Sequence, residues 1–276
     1  MAITASDVNK LRQQTGAGMM DCKNALVEAN GDFEAAVDIL RKKGQKVAAK
    51  RGENEASEGL VFAQTSEDNK VGVLLTLNCE TDFVAKNDTY RNFVQSLVDI
   101  AMNNLPATAE ELKGLKYDEK LTVEEKITEQ VGVIGEKLDL SGYAVVKGDT
   151  VVAYNHPGNQ LATLVALNKG GEEVAEAGRQ VAMQVAAMNP IALNKDGVDA
   201  RTIEREIEVG KELAIQEGKP ADMAEKIAQG RLTKFFKENT LLSQEFIRDN
   251  KVTVEQFLDS TENGLTVTEF KRFSLS

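Results

Sequence analysis

The sequence predicts a mixed α+β fold, in which a helical amino-terminal module precedes two related α+β subdomains and the second subdomain carries an inserted helical hairpin. Three patterns support this class: helical apolar spacing in residues 4–43, a strand-and-helix pattern that occurs twice, and a charged, helix-periodic stretch near residue 220. We expect four domains, at residues 1–54 (helical module and linker), 55–140 (first subdomain), 141–200 with 237–276 (second subdomain) and 201–236 (helical hairpin).

The amino-terminal module is expected to contain three short helices. Two segments that suit helix ends and caps, residues 15–18 and 30–32, separate them. Val8 and Leu11 give the first helix its apolar side, and Phe33, Val37 and Leu40 do so for the third. Apolar residues become sparse from residue 45 to 59, which indicates a helical or flexible linker.

An internal repeat predicts the two related subdomains. Residues 71–78 (VGVLLTLN) match residues 161–168 (LATLVALN), and each run is followed by an amphipathic helix whose end is similar in both copies. An earlier strand is expected in each copy, near 59–65 and 142–148, so that each copy forms a hairpin with a helix packed across it. The last strand-like run, residues 265–270, is expected to return to the second sheet.

The first copy has a longer strand-to-helix loop than the second. The copies are offset by 90 positions at the strand and by 86 at the helix end, so the first copy carries four additional residues, which fall within residues 79–90. That loop contains Thr81, Asp82, Phe83 and Val84. The corresponding residues of the second copy, 169–172, are Lys-Gly-Gly-Glu.

Phe83 admits two interpretations. Most phenylalanines are buried in their own core, and this one could be too. Alternatively, an apolar ring on a loop between a strand and a helix is suited to enter the pocket of a partner protein. The repeat favours the second interpretation, because the second subdomain folds without an equivalent of this segment.

Three further positions are candidates for a contact surface. Met19 and Met20 follow a Gly-rich turn, and because adjacent helical side chains point to different faces, we expect one of the two to be exposed. Arg12 lies near the same turn and is by default a solvated residue. His156 lies in a His-Pro-Gly sequence typical of a turn, where a turn or contact role is favoured over catalysis.

Composition narrows the class of partner. The formal net charge is −11, which argues against a broad surface for nucleic acid or anionic lipid and favours a protein partner. No basic start followed by an apolar run and no membrane-spanning apolar stretch is present, so we expect a soluble, cytoplasmic protein.

The same sequence offers little for catalysis or cofactor binding. There is one histidine, and Cys22 and Cys79 lack the spacing of a disulfide framework or a zinc site. The Gly-Lys at 210–211 lacks the glycine that a phosphate-binding loop needs, and residues 16–21 fail the dinucleotide pattern. We therefore expect no enzyme activity, no cofactor and no metal site.

Two long motifs carry a family resemblance. Residues 15–26 (TGAGMMDCKNAL) and 78–85 (NCETDFVA) closely resemble the bacterial translation elongation factor Ts family, and the similarity covers nearly the whole chain. The resemblance implies a guanine-nucleotide exchange factor for elongation factor Tu that binds the GDP-bound and nucleotide-free partner. It also implies a ubiquitin-associated-like (UBA-like) amino-terminal domain and a coiled-coil hairpin.

The resemblance also implies site roles. The segment of Thr81, Asp82, Phe83 and Val84 would enter the GTPase domain of the partner, where Asp82 and Phe83 would disturb the Mg²⁺ site and the phosphate-binding loop. A second contact to that domain would come from Arg12, Met19 and Met20. The second subdomain would contact another domain of the partner, with His156 a less certain participant.

Three expectations remain open from the sequence. Better-studied members of the family continue into a carboxy-terminal helix that contacts the partner. We expect this contact to be absent here, so that the amino-terminal domain and core carry the interface. The rival function is a UBA-like adaptor that binds another protein without exchanging nucleotide. The hairpin could stand free or form a homodimer or a 2:2 complex with the partner.

Overall fold

The structure, a computed structural model, describes residues 3–275, with the backbone alone at residues 221 and 222. Its helices, in chain order, are α1 (Ala5–Thr15), α2 (Met19–Glu28), α3 (Phe33–Arg51), α4 (Asp82–Ala85), α5 (Asp88–Asn104), α6 (Ala109–Gly114), α7 (Val123–Ile134), α8 (Glu172–Met188), α9 (Ala200–Gln216), α10 (Ala221–Asn239) and α11 (Val254–Thr261). Its strands are β1 (Glu58–Thr65), β2 (Val71–Cys79), β3 (Asp139–Lys147), β4 (Thr150–Asn155), β5 (Leu161–Leu167), β6 (Glu245–Phe246), β7 (Asp249–Thr253) and β8 (Val267–Ser274).

Two three-stranded sheets form the framework, and the predicted α+β class is confirmed. The orders are β1-β2-β3 and β4-β5-β8, so the central strand of each sheet is the one that carries the repeated apolar run. Both central strands are almost continuously buried, as the apolar runs predict. We call β1, β2, β3 and α5 the first half and β4, β5, β8 and α8 the second half. The last strand, β8, joins the second sheet as expected.

The expected pairing of the strand near residues 142–148 is wrong. A strand is present there, β3, but it belongs to the first sheet. The strand that precedes β5 in the second hairpin is β4, whose register pairs Thr150 with Leu167 and Asn155 with Ala162. Alternating apolar residues indicate a strand but do not specify its neighbour, which explains the misassignment.

By compactness the chain divides into two units. The first consists of residues 3–62 and 75–144 with the end of β8, and the second consists of residues 63–74 and 145–273. The first unit contains the amino-terminal helices, α4 to α7 and the parts of β1 and β2 that lie farthest from their turn. The second unit contains the second half, α9 to α11 and the small β6-β7 sheet. The domain boundaries expected from the sequence stay predictions.

The three amino-terminal helices form a small core of their own, with Val8, Leu11, Cys22, Leu26 and Ala36 buried in it. Thr4 caps α1 in a capping box, and Asp32 caps α3. The stretch expected to be a helical or flexible linker is helical as far as Arg51, because α3 continues past residue 45. The likeness of these helices to a ubiquitin-associated fold stays a prediction.

Helix α3 packs against α7 at a contact between two glycines. A Cβ on Gly132 would lie well inside contact distance of the Gly44 Cα and 3.2 Å from the Gly44 nitrogen. Only hydrogen fits between the two backbones at this point. This contact attaches the amino-terminal helices to the rest of the first unit.

The inserted stretch forms two helices, α9 and α10, joined by residues 217–220. Their contact is made by small residues: Gly210 lies against Ala228, and Ala214 and Ala224 are buried. Leu213 and Met223, two large apolar residues of these helices, are exposed. Small side chains let the two backbones approach closely, so the larger apolar residues are displaced from the seam.

Candidate functional site

The segment of Thr81 to Val84 is a single helical turn rather than an irregular loop. Thr81 is the N-cap of α4, with extended backbone angles and a side-chain oxygen that accepts from the Val84 N–H at 3.4 Å. Phe83 is 82% exposed, whereas Ala85 at the end of the turn is buried. The core interpretation of Phe83 is therefore wrong, and the ring projects from the turn into solvent.

Thr81, at the start of this turn, makes hydrogen bonds through its N–H, its hydroxyl and its carbonyl. The carboxylate of Glu136 accepts from the Thr81 N–H at 3.0 Å and from its hydroxyl at 2.7 Å. The Thr81 carbonyl accepts from the Cys79 thiol at 3.2 Å and from the Ala85 N–H at 3.2 Å. A residue bonded on all sides in this way has little freedom to reorient.

Glu80 connects the same turn to the end of α3. Its two carboxylate oxygens accept from the same Arg51 nitrogen, Nη1, at 2.9 and 2.8 Å, and one of them also accepts from the Asn54 amide at 3.0 Å. It also accepts from the Lys137 N–H at 2.6 Å. The backbone hydrogen bond from Lys137, followed by those from Arg51 and Asn54, lowers the pKa of Glu80.

Asp82 is paired within the turn. The Lys86 ammonium donates to its carboxylate at 2.6 Å, one helical turn along the chain. This hydrogen bond lowers the pKa of Asp82 and raises that of Lys86. The carboxylate is partly exposed and carries its charge at neutral pH, with Lys86 as its ion-pair partner.

A buried hydroxyl and a buried thiol lie beneath the turn. Tyr90 of α5 donates to the Leu77 carbonyl of β2 at 2.7 Å, which fixes the helix against the central strand. Burial raises the pKa of the Cys79 thiol to about 11, so Cys79 stays protonated and can donate to Thr81 at neutral pH. Both cysteines are buried and free, which suits packing rather than reactivity.

The amino-terminal helices present a second exposed apolar surface. Met19 is 53% exposed and Met20 63% exposed, so both are exposed, where the sequence predicts one. They occupy the first two positions of α2, where no preceding turn covers either face. Val27 on the same helix is also exposed, and so is Arg12 in the last turn of α1.

His156 lies in the second unit, in the turn between β4 and β5. Its backbone N–H donates to the Leu161 carbonyl at 2.9 Å, and its ring Nδ1 lies 2.9 Å from the Tyr154 hydroxyl. The ring is exposed, with Gly158 and Asn159 at positive φ beside it. The turn expected at His-Pro-Gly is present, and its geometry offers a surface contact.

Comparisons with known proteins agree on one family. The family model described as "Elongation factor TS" matches residues 80–276. The protein named elongation factor Ts from Amoebophilus asiaticus is 54% identical over 273 residues, covering 99% of this chain and 98% of its own length. This chain belongs to the elongation factor Ts family. Elongation factor Ts of Cytophaga hutchinsonii is 54% identical over 275 residues, and that of Porphyromonas gingivalis is 47% identical over 276 residues, each aligned over 99% of its own length.

Membership of the elongation factor Ts family makes the chain a translation elongation factor, as the two sequence motifs indicate. One of those motifs, residues 78–85, contains the whole α4 turn and lies almost entirely within the stretch that the family model matches. The other motif contains Met19 and Met20. The functional roles of the individual residues stay predictions.

Sequence reasoning missed the residues that hold the elongation factor Ts turn in place: Glu136, Glu80 and Arg51. Glu136 lies 55 positions from Thr81, and no local pattern marks it. Glu80 lies inside the recognised motif, so its position next to Thr81 was the only available signal. Its pairing with Arg51 depends on α3 continuing to residue 51.

Residues 3–275 contain no group of three or more His, Cys, Asp or Glu side chains placed to hold a metal ion. Among the helices described, none has the length and apolar character needed to cross a membrane.

Proposed function

We propose that the chain is a guanine-nucleotide exchange factor for elongation factor Tu, acting by protein binding and not as a catalytic enzyme. It would bind the GDP-bound partner, dislodge Mg²⁺, and release GDP so that GTP can bind. The observation that carries this proposal is the exposed Phe83 on a rigidly held turn. A large apolar ring kept in solvent by a fixed frame suits insertion into a partner.

Phe83 alone cannot expel a tightly bound nucleotide. A nanomolar affinity corresponds to about 12 kcal/mol, whereas burial of one phenylalanine contributes about 1.5–3 kcal/mol. A partner lowers nucleotide affinity only by as much as it prefers the nucleotide-free state, and the weakening is mutual. A broad interface must therefore supply binding, and α4 converts part of it into distortion of the nucleotide site.

Asp82 would contribute through charge. Mg²⁺ bridges the phosphates and is the largest local charge in such a site. A carboxylate that competes for Mg²⁺ or displaces it would therefore weaken nucleotide binding. In the free chain the Asp82 carboxylate is occupied by Lys86 at 2.6 Å. We infer that this pair is loosened or rearranged when the turn enters the partner.

Other parts of the interface follow from the same proposal. Arg12, Met19 and Met20 form the exposed amino-terminal surface that would contact the GTPase domain. His156, on the β4-β5 turn, would contact another domain of the partner. We also propose that the chain acts in the cytoplasm, with no direct nucleic-acid or membrane partner. Light scattering of the chain, alone and with elongation factor Tu, would show whether it forms a homodimer or a 2:2 complex.

The decisive experiment is stopped-flow release of a fluorescent GDP from elongation factor Tu. Phe83→Ala is expected to lower the maximal release rate about 10- to 150-fold, the factor that corresponds to about 1.5–3 kcal/mol, while the complex still forms. An unchanged maximal rate would refute the role of Phe83. A wild-type chain that binds the partner without accelerating release would instead support the adaptor function.

A further inference from the structure

Glu136 holds the turn that carries Phe83 from outside the turn's own sequence. It lies in the connection between α7 and β3 and accepts three hydrogen bonds, from the Glu80 N–H at 3.1 Å, the Thr81 N–H at 3.0 Å and the Thr81 hydroxyl at 2.7 Å. A carboxylate that accepts from successive backbone N–H groups fixes the direction of the chain that bears them. The direction of α4 is set at this point.

The connection is reciprocal. While Glu136 accepts from the backbone of Glu80 and Thr81, the carboxylate of Glu80 accepts from the backbone N–H of Lys137 at 2.6 Å. Two chain segments thus exchange carboxylate-to-backbone bonds in both directions. A paired arrangement of this kind resists both rotation and sliding, whereas a single hydrogen bond would permit pivoting.

The turn needs this support because its own contacts are few. Helix α4 is four residues long, and its largest apolar side chain, Phe83, is 82% exposed. The Phe83 ring therefore contributes no packing that would hold α4 in place. Thr81 supplies the N-cap, which forms the turn but does not orient it relative to the rest of the unit. The bonds to Glu136 and Lys137 supply that orientation.

We propose that Glu136 is a positioning residue for nucleotide exchange, holding α4 in the orientation in which Phe83 and Asp82 reach the nucleotide site of the partner. The inference rests on the proposed exchange function. It assigns to Glu136 an effect on the maximal release rate, transmitted through Thr81, and no contact with the partner of its own.

The test measures fluorescent GDP release from elongation factor Tu over a range of factor concentrations, which separates the maximal rate from the half-saturating concentration. Glu136→Ala is expected to lower the maximal rate about tenfold, the order of loss that follows displacement of a working group by a fraction of its reach. The half-saturating concentration should change less than about threefold, because the broad interface is intact.

Glu136→Gln provides the conservative variant. Its amide oxygen can accept from the two backbone N–H groups, and its NH₂ group can donate to the Thr81 hydroxyl oxygen, so all three bonds can be kept without the charge. We expect it to retain a maximal rate within about threefold of wild type. Asp118→Ala is the matched control, because Asp118 also accepts from two backbone N–H groups, those of Lys120 and Leu121, both at 2.8 Å, outside the turn.

A double variant distinguishes positioning from general loss of stability. If Glu136 acts through α4, adding Glu136→Ala to Phe83→Ala should lower the rate by less than about twofold more, since the ring that Glu136 positions is already absent. Multiplicative effects of the two substitutions would overturn the proposal, and so would a Glu136→Ala defect confined to the half-saturating concentration or equalled by Asp118→Ala.

Different results would refute the positioning role of Glu136 and the exchange function. If wild type accelerates release and Phe83→Ala slows it, but Glu136→Ala matches wild type, the positioning role is wrong and the exchange function stands. If wild type does not accelerate release, the exchange function is wrong and the positioning role falls with it.

Discussion

The two halves of the molecule share a plan and differ at one connection. In both, a hairpin turn is closed by the same pair of backbone bonds, Ser66 to Val71 with Asn69 to Ser66 in the first and His156 to Leu161 with Asn159 to His156 in the second. The connection from the central strand to the helix runs through residues 80–87 in the first half and residues 168–171 in the second. The four additional residues form an exposed helical turn.

The shared plan extends to how each helix is fixed to its sheet. Tyr90 of α5 donates its buried hydroxyl to the Leu77 carbonyl, and Thr163 of β5 donates its buried hydroxyl to the Ala182 carbonyl of α8. Each half therefore has one hydroxyl-to-carbonyl bond across the sheet-helix layer. Because the framework is complete without α4, the turn is an addition whose presence the fold does not require.

The largest expected effect comes from removing that addition. Replacing residues 80–87 with Asn-Lys-Gly-Gly, the sequence of residues 168–171, would make the first connection like the second. We expect the maximal GDP release rate to fall on the order of a hundredfold or more, since both working side chains and their anchors are lost. The rate is measured by stopped-flow fluorescence at saturating factor.

A variant of unchanged length separates side chains from loop length. Alanine at each of positions 82–84 keeps the connection but removes its functional groups. It should lose nearly as much rate as the short connection, and both should still bind nucleotide-free elongation factor Tu in calorimetry. If the alanine variant exchanges nucleotide normally, the side chains of the turn are not the working groups.

The plan of the two halves could be predicted from the sequence because it depends on local, repeated patterns. The matching runs at 71–78 and 161–168 are both central strands, and the length difference at the loop is the one observed. Helix α7 was also within reach, because Thr122 and Glu125 form a capping box before Val123, Ile127 and Val131.

The remaining features depend on contacts between distant residues. The sheet to which β3 belongs, the exposure of Phe83 and the hydrogen bonds of Glu136 are all decided by segments far apart in the chain. Sequence patterning states which side chains are apolar or charged, but it does not state which backbone N–H a carboxylate will accept from. The site was therefore recognised from its motif and its supporting residues were not.

A second contrast is between two close helix–helix contacts, one in each unit. In the first unit, α3 meets α7 at Gly44 and Gly132, and in the second unit α9 meets α10 at Gly210 and Ala228. A Cβ on Gly132 would overlap the Gly44 backbone, whereas a Cβ on Gly210 would lie 3.1 Å from the Ala228 Cα. The contact between α3 and α7 leaves no space for a side chain on Gly132, whereas the contact between α9 and α10 leaves little space for one on Gly210.

Gly132→Ala is therefore expected to destabilise the protein by about 1–3 kcal/mol, the usual cost of overpacking. Gly210→Ala, the matched control, should change stability by less than about 1 kcal/mol, because the gain in helix propensity offsets a small shift. Urea denaturation followed by circular dichroism gives both values. Equal effects would mean that the α3–α7 contact adapts as readily as the hairpin seam.

The smallest expected effect concerns pH. Glu80, in the first connection, has a lowered pKa because its carboxylate accepts from the Lys137 N–H, Arg51 and Asn54, whereas the residue 90 positions later is Gly170. A group whose pKa is lower in the folded state stabilises the fold above its ordinary pKa, and this contribution is lost as the pH falls through the folded pKa. Acid should therefore loosen the first connection before the second.

Glu80→Gln tests this difference. It should cost about 1 kcal/mol at neutral pH, because the hydrogen bonds from Arg51 Nη1 and from a backbone N–H are weakened, and the difference from wild type should shrink as the pH falls below about 5. Glu173→Gln, at an exposed site on α8, is the control and should show a smaller difference at every pH. A constant Glu80→Gln penalty across this range would show that the ionised carboxylate is not what holds the first connection, leaving Glu136 as its principal anchor.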